Sequence, residues 1–137
     1  MRTLAAVAAL VLTYGISDAS TVRAVIYFRG WHAESYVAVT PEGLRDMART
    51  FPSMRRTVSG EGLQSLLSIL DLHHMQATRG LCSQDTNLVV DLFESSGARR
   101  SYRADGLYLC SIDNSLSRPT GKPFLKYFED IFPHPKA

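Results

Sequence analysis

The chain has 137 residues, 45% of them hydrophobic, with 15 basic and 13 acidic side chains and a formal net charge of +2. So mild a balance argues against a nucleic-acid partner, and the length suffices for one domain with a real core but not for two. Neither a glycine-rich phosphate loop nor a Gly-x-Ser-x-Gly nucleophile elbow occurs, which removes the commonest signatures of nucleotide chemistry and serine hydrolysis.

The first residues read as a cleavable export signal, roughly Met1 to Ala19. Arg2 supplies the positive start, Leu4 to Leu12 the apolar core, and Ser17-Asp18-Ala19 a small-x-small exit. Tyr14, Gly15, Ser17 and Asp18 interrupt the run before it reaches the 18 to 20 apolar residues, approximately, that a bilayer span requires. Cleavage after Ala19 leaves residues 20–137 as a single domain with no membrane span, in the periplasm or the extracellular medium. In such an oxidising compartment Cys82 and Cys110, the only cysteines, read as a disulfide.

Thr21 to Phe28 is β-branched and aromatic with Val22, Ala24, Ile26 and Phe28 on one face, which predicts a strand. After Arg29-Gly30-Trp31-His32, the short apolar run Ser35 to Val39 is expected to be a second strand, pairing with the first as a hairpin. Thr40-Pro41-Glu42 supplies a cap, a proline at the first helical position and a first-turn acid. Leu44, Met47, Ala48 and Phe51 carry that helix to Pro52. Ser59 caps a second helix over about Gly60 to Leu72, whose stripe is Leu63, Leu66, Leu67 and Leu70.

Thr78-Arg79-Gly80 is loop. Asn87 to Phe93 is a strand, Glu94 to Gly97 has turn chemistry, and Arg99 to Ala104 returns as an alternating strand. Beyond the Asp105-Gly106 turn, Leu107 to Ser111 is a short strand carrying Cys110, so a bridge to Cys82 is expected to tie the sheet edge to the end of the second helix. Asn114 to Gly121 reads as loop. Phe124, Tyr127, Phe128 and Ile131 mark a last helix closed by Pro133. The expected fold is α+β: an antiparallel sheet of four to five strands in two hairpins, with about three helices packed on one face.

Two segments stand out as candidate binding sites. The first hairpin connection holds Arg29, Trp31, His32 and Glu34, placing the only tryptophan beside a histidine and charges of both signs. Loops on a rigid sheet concentrate binding residues, and Trp and Arg are frequent interface hot spots. The competing reading of Trp31 is that it folds back over one end of the core. Arg99, Arg100 and Arg103 form a second cluster and Arg55-Arg56 a third, suited to an acidic or phosphate-bearing surface or simply solvated. His73 and His74, next to Asp71, are adjacent rather than four apart, so on a helix they point about 100° apart and make a poor metal pair. They suit a helix end instead.

No metal, cofactor or catalytic residue is implied. The chain is expected to be a protein-binding module of the inhibitor or immunity kind, acting by surface complementarity on another protein. The alternatives are a small secreted enzyme drawing on His32, Glu34, His73 and His74, and a structural envelope component.

Overall fold

A computed structural model describes residues 20–33, 35–77 and 81–133. The expected export signal, Met1 to Ala19, lies outside them. Strand β1 (Thr21–Phe28) leads to helix α1 (Pro41–Thr50), a 3-10 turn (Pro52–Met54), strand β2 (Arg55–Val58) and helix α2 (Gly60–Leu70). A second 3-10 turn (Leu72–His74) precedes strands β3 (Leu88–Glu94), β4 (Arg99–Ala104), β5 (Tyr108–Ser111) and β6 (Ser117–Pro119), and helix α3 (Lys122–Ile131) closes the order. The six strands form one antiparallel sheet in the order β2-β1-β3-β4-β5-β6.

The α+β class holds, with three corrections to its detail. Ser35 to Val39 is not a strand: β1 has β3 on one side and β2 on the other, so no edge of it is left for a hairpin partner. Residue 39 hydrogen-bonds the loop before β3 instead, its amide donating to Asp85 Oδ1 at 2.7 Å and its carbonyl accepting from Thr86. The expected strand count of four to five becomes six, because two segments not read as strands join the sheet: Arg55–Val58 pairs with β1, and Ser117–Pro119, read as loop, pairs with β5. The bridge-bearing strand β5 is therefore interior to the sheet, not its edge.

The helices also divide between the two faces rather than sharing one. Ala24, Ile26 and Phe28 of β1 and Leu88, Val90 and Leu92 of β3 pack with Leu63, Leu66, Leu67 and Leu70 of α2 and Phe124 and Phe128 of α3. On the opposite face Val89 packs with Leu44 and Ala48 of α1 and with Met54, against the half-buried Tyr27. A central strand covered on both faces reads as a continuous apolar run rather than an alternation, and Leu88-Val89-Val90 is fully buried.

Helix α1 begins as its sequence requires: Thr40 Oγ1 accepts from the Gly43 amide at 3.0 Å, and Pro41 fills the first helical position. Helix α2 stops at Leu70, two residues short of the expected end, where Asp71 takes a left-handed conformation. Arg118 of β6 caps it from outside, donating to the Leu70 and Ile69 carbonyls at 2.8 and 2.7 Å. Burial lowers the pKa of that guanidinium, opposed by the Asp71 carboxylate. Cys82 and Cys110 are joined, with Cα atoms 6.3 Å apart. Cys110 stands opposite Arg103 in the ladder, so the bridge sits on the α1 side of the sheet.

Candidate functional site

The ladder aligns Phe28 with Leu88, Leu88 with Ala104 and Ala104 with Leu109. The connections after β1, before β3 and between β4 and β5 therefore emerge at one end of the sheet. Loops carried on such a rigid row are suited to recognition, and the first candidate segment lies here.

Its residues divide between frame and surface. Arg29 is buried, its Nε donating to the Thr86 carbonyl at 2.8 Å while Nη2 lies 2.7 Å from Asp85 Oδ1. Partial burial pushes the Asp85 carboxyl up, but the Val39 amide and the Arg29 guanidinium outweigh it and hold its pKa below the ordinary value. Trp31 is half-buried: its ring meets Phe28 edge-on at 4.8 Å and Phe128 at 6.2 Å, and its indole N–H donates to the Leu125 carbonyl at 2.9 Å. The side chain thus fastens the loop to α3 by packing and by a satisfied polar tip. His32 is exposed beside a shallow groove that includes Glu129 and Phe132. Glu34 lies outside the described residues.

The neighbouring loops are tied into the same frame. Asn87 Nδ2 donates to the Gly30 carbonyl at 2.8 Å, and Asp105 accepts from the Ser83, Leu107 and Tyr108 amides at 2.6, 2.9 and 3.0 Å. Gly106 has φ of +94°, which favours glycine, and a Cβ there would stand 3.7 Å from the Trp31 ring. Trp31 therefore backs the β4–β5 turn as well as its own loop.

On this frame stand the three most exposed large hydrophobic side chains among the described residues: Tyr36 at 110% of its reference surface, Val37 at 78% and Leu107 at 71%. The sequence placed all three inside strands, where they would have been half-buried. Leu107 follows the Asp105-Gly106 turn directly, and that position was the one available signal of its exposure.

The arginine strand divides by face. Arg100 faces the α2–α3 side, its Nε 3.1 Å from Glu94 Oε1 and its Nη1 donating to the Tyr102 hydroxyl at 3.2 Å. Arg103 faces the α1 side and donates to the Ser83 carbonyl at 2.7 Å, again bracing the loop end. Arg99 is exposed and joins a cleft of about 670 Å³ on the α1 side, lined also by Arg45, Arg49, Arg55, Glu42, Asp46, Tyr27 and Thr57. At its base Arg45 grips the buried Asp91 with two hydrogen bonds, Nε–Oδ2 at 3.0 Å and Nη2–Oδ1 at 2.7 Å, while Ser101 Oγ donates to Oδ1 at 2.6 Å. The Asp91 hydrogen bond is the main cause raising the Arg45 pKa, against desolvation.

The histidine pair sits in the 3-10 turn after α2, with His74 Nδ1 2.8 Å from Asp71 Oδ1 on the surface. Among the described residues no three His, Cys, Asp or Glu side chains gather as a metal site, and no helix is long and apolar enough to cross a membrane. Comparison with family models, curated proteins and solved structures returned no match.

Proposed function

We propose that the protein is an exported protein-binding module, of the inhibitor or immunity kind, that engages its partner through the loop end of the sheet. The observation that carries this reading is the exposure of Tyr36, Val37 and Leu107 on loops held by buried polar contacts at one end of the molecule. Scattered exposed hydrophobics are ordinary, but the most exposed ones collected on a braced row favour an interface. A tyrosine offers wide contact area at low entropic cost on binding. The disulfide supports export, since such bridges persist in oxidising compartments.

Arg29 and Trp31 act in this reading as positioning residues, and Tyr36, Val37 and Leu107 as the contact. The test is capture from the native envelope and medium by the immobilised protein, comparing wild type with Tyr36→Ser/Leu107→Ser and with Val22→Ser. Val22 is a half-exposed apolar residue at the start of β1, on the sheet rather than the loop end. Loss of two anchors is expected to weaken retention at least tenfold, since hot-spot side chains are each worth roughly 1 to 2 kcal/mol or more. Val22→Ser should retain the partner, and all variants should unfold at the wild-type temperature. Equal retention by all three proteins would overturn the proposal.

A further inference from the structure

We propose that the outer edge of β2 is a strand-addition site, which takes an extended acidic segment of a partner protein. The sheet has two edges, β2 and β6, and they are finished differently. At β6 the edge is closed. Ser117 exchanges backbone hydrogen bonds with Gln76 at 2.8 and 2.9 Å, Pro119 has no amide proton, and the Pro119 carbonyl accepts from Arg118 at 2.8 Å. At β2, Arg55, Arg56 and Thr57 are exposed, and among the described residues no segment pairs with the outer side.

The ladder identifies which backbone groups remain there. The Arg29 amide donates to the Asn87 carbonyl next to β3. By alternation Tyr27 and Val25 turn their backbone groups to β3, and Ile26 and Ala24 turn theirs to β2. Their partners Arg56 and Val58 are thereby satisfied, while Arg55 and Thr57 face outward. The Arg55 amide is taken by the Pro52 carbonyl. The Arg55 carbonyl and both backbone groups of Thr57 are left to pair with an added strand.

Charge selects the occupant. Arg55 points to the α1 side, and among the described residues its guanidinium has no hydrogen-bond or ion-pair partner. An acidic residue opposite it on an added strand supplies one. Arg56 points to the other side, bound to the Ile131 carbonyl, beside a groove of about 290 Å³ whose apolar lining is Ile131, Phe132 and Pro133. An antiparallel segment, the pairing used throughout this sheet, presents an acid to Arg55 and, one residue earlier, an apolar side chain to the groove. Glu61, the next acid in the chain, lies in the first turn of α2, where its charge complements the helix amides. A second copy of this chain fits poorly, because edge-to-edge pairing gathers Arg55 and Arg56 of both copies in one seam.

This edge uses none of Tyr36, Val37 and Leu107, so either proposal can fail alone. The direct test is titration of the 15N-labelled protein with the blocked peptide acetyl-Thr-Val-Thr-Val-Glu-amide and with its counterpart ending in lysine, at constant ionic strength. Saturable shifts are expected in the amides of Arg55 to Val58, with slower hydrogen exchange at Thr57 and no change at Ser117 on the other edge. The glutamate peptide should bind about fivefold more tightly than the lysine peptide, the scale of one exposed ion pair. Thr57→Pro removes the outward donor without touching the ladder to β1; it should weaken binding about tenfold and leave the thermal midpoint near wild type. Arg55→Glu, a change at an exposed side chain, should reverse the preference in favour of the lysine peptide, and it reads the site whether or not Thr57→Pro folds. Equal binding of the two peptides, shifts confined to other segments, a folded Thr57→Pro that binds as wild type, or an Arg55→Glu protein that keeps the wild-type preference would overturn the proposal. So would protection of the Thr57 amide that grows with protein concentration alone, which would make a second copy the occupant.

Discussion

Arg55 and Arg56 are adjacent and have opposite duties. Strand alternation sends Arg55 to the cleft on the α1 side, while Arg56 donates to the Ile131 carbonyl at 3.0 Å and satisfies the end of α3 on the other. A pair of arginines in a sequence carries no mark of which is structural, because the deciding partner lies 75 residues away. Arg99, Arg100 and Arg103 show the same limit: one faces the cleft, one pairs with Glu94 and one braces Ser83. Trp31 was more legible, since a tryptophan beside a glycine turn suits both a surface anchor and a cover for the core. Its contacts with Phe28, Phe124 and Phe128 and its bond to Leu125 support the second role. Trp31→Ala is therefore expected to lower stability by about 3 kcal/mol, short of the full cost of truncating a completely buried ring. Urea unfolding measures it, and a midpoint equal to wild type would place the ring on the surface instead.

Among elements, those defined by their own periodicity were visible in advance. The α2 stripe Leu63, Leu66, Leu67 and Leu70 and the α3 aromatics point into the core as their spacing demands. The elements that escaped are defined by their neighbours. Strand β2, Arg-Arg-Thr-Val, has almost no apolar content and forms because β1 offers it a free edge. Ser35 to Val39 has strand-like residues but finds that edge taken, so propensity gives way to tertiary context. Likewise α1 covers the opposite face because Val89 and the half-buried Tyr27 need burial there too. The disulfide was legible from the cysteine count and the expected export signal, although its attachment to an interior strand was not. Closing a loop with sequence separation 28 contributes roughly 3 to 4 kcal/mol on the chain-entropy model. Cys82→Ala/Cys110→Ala should accordingly lower the thermal midpoint by about 10 to 15 °C in calorimetry. An unchanged midpoint would mean that the fold rests on its two hydrophobic clusters without the bridge.

At the scale of the whole molecule, the sheet separates its surfaces. Two helices seal one face, the third half-covers the other and leaves an arginine cleft beside it, and the loop row at one end carries exposed apolar side chains. The division follows from a sheet whose middle strands are buried on both sides: what remains for recognition is the uncovered part of a face and the strand ends. Chemistry by the enzyme alternative would need titratable groups brought together, yet the exposed His32 follows β1 and His74 is engaged with Asp71 after α2. The loop end is the surface on which the binding proposal stands or falls. A photo-crosslinking amino acid placed singly at positions 36, 107 and 22, irradiated in the native compartment, tests it most directly. Positions 36 and 107 should yield the same discrete adduct with one other protein, and position 22 none; adducts of equal strength from all three positions, or none from 36 and 107, would contradict it.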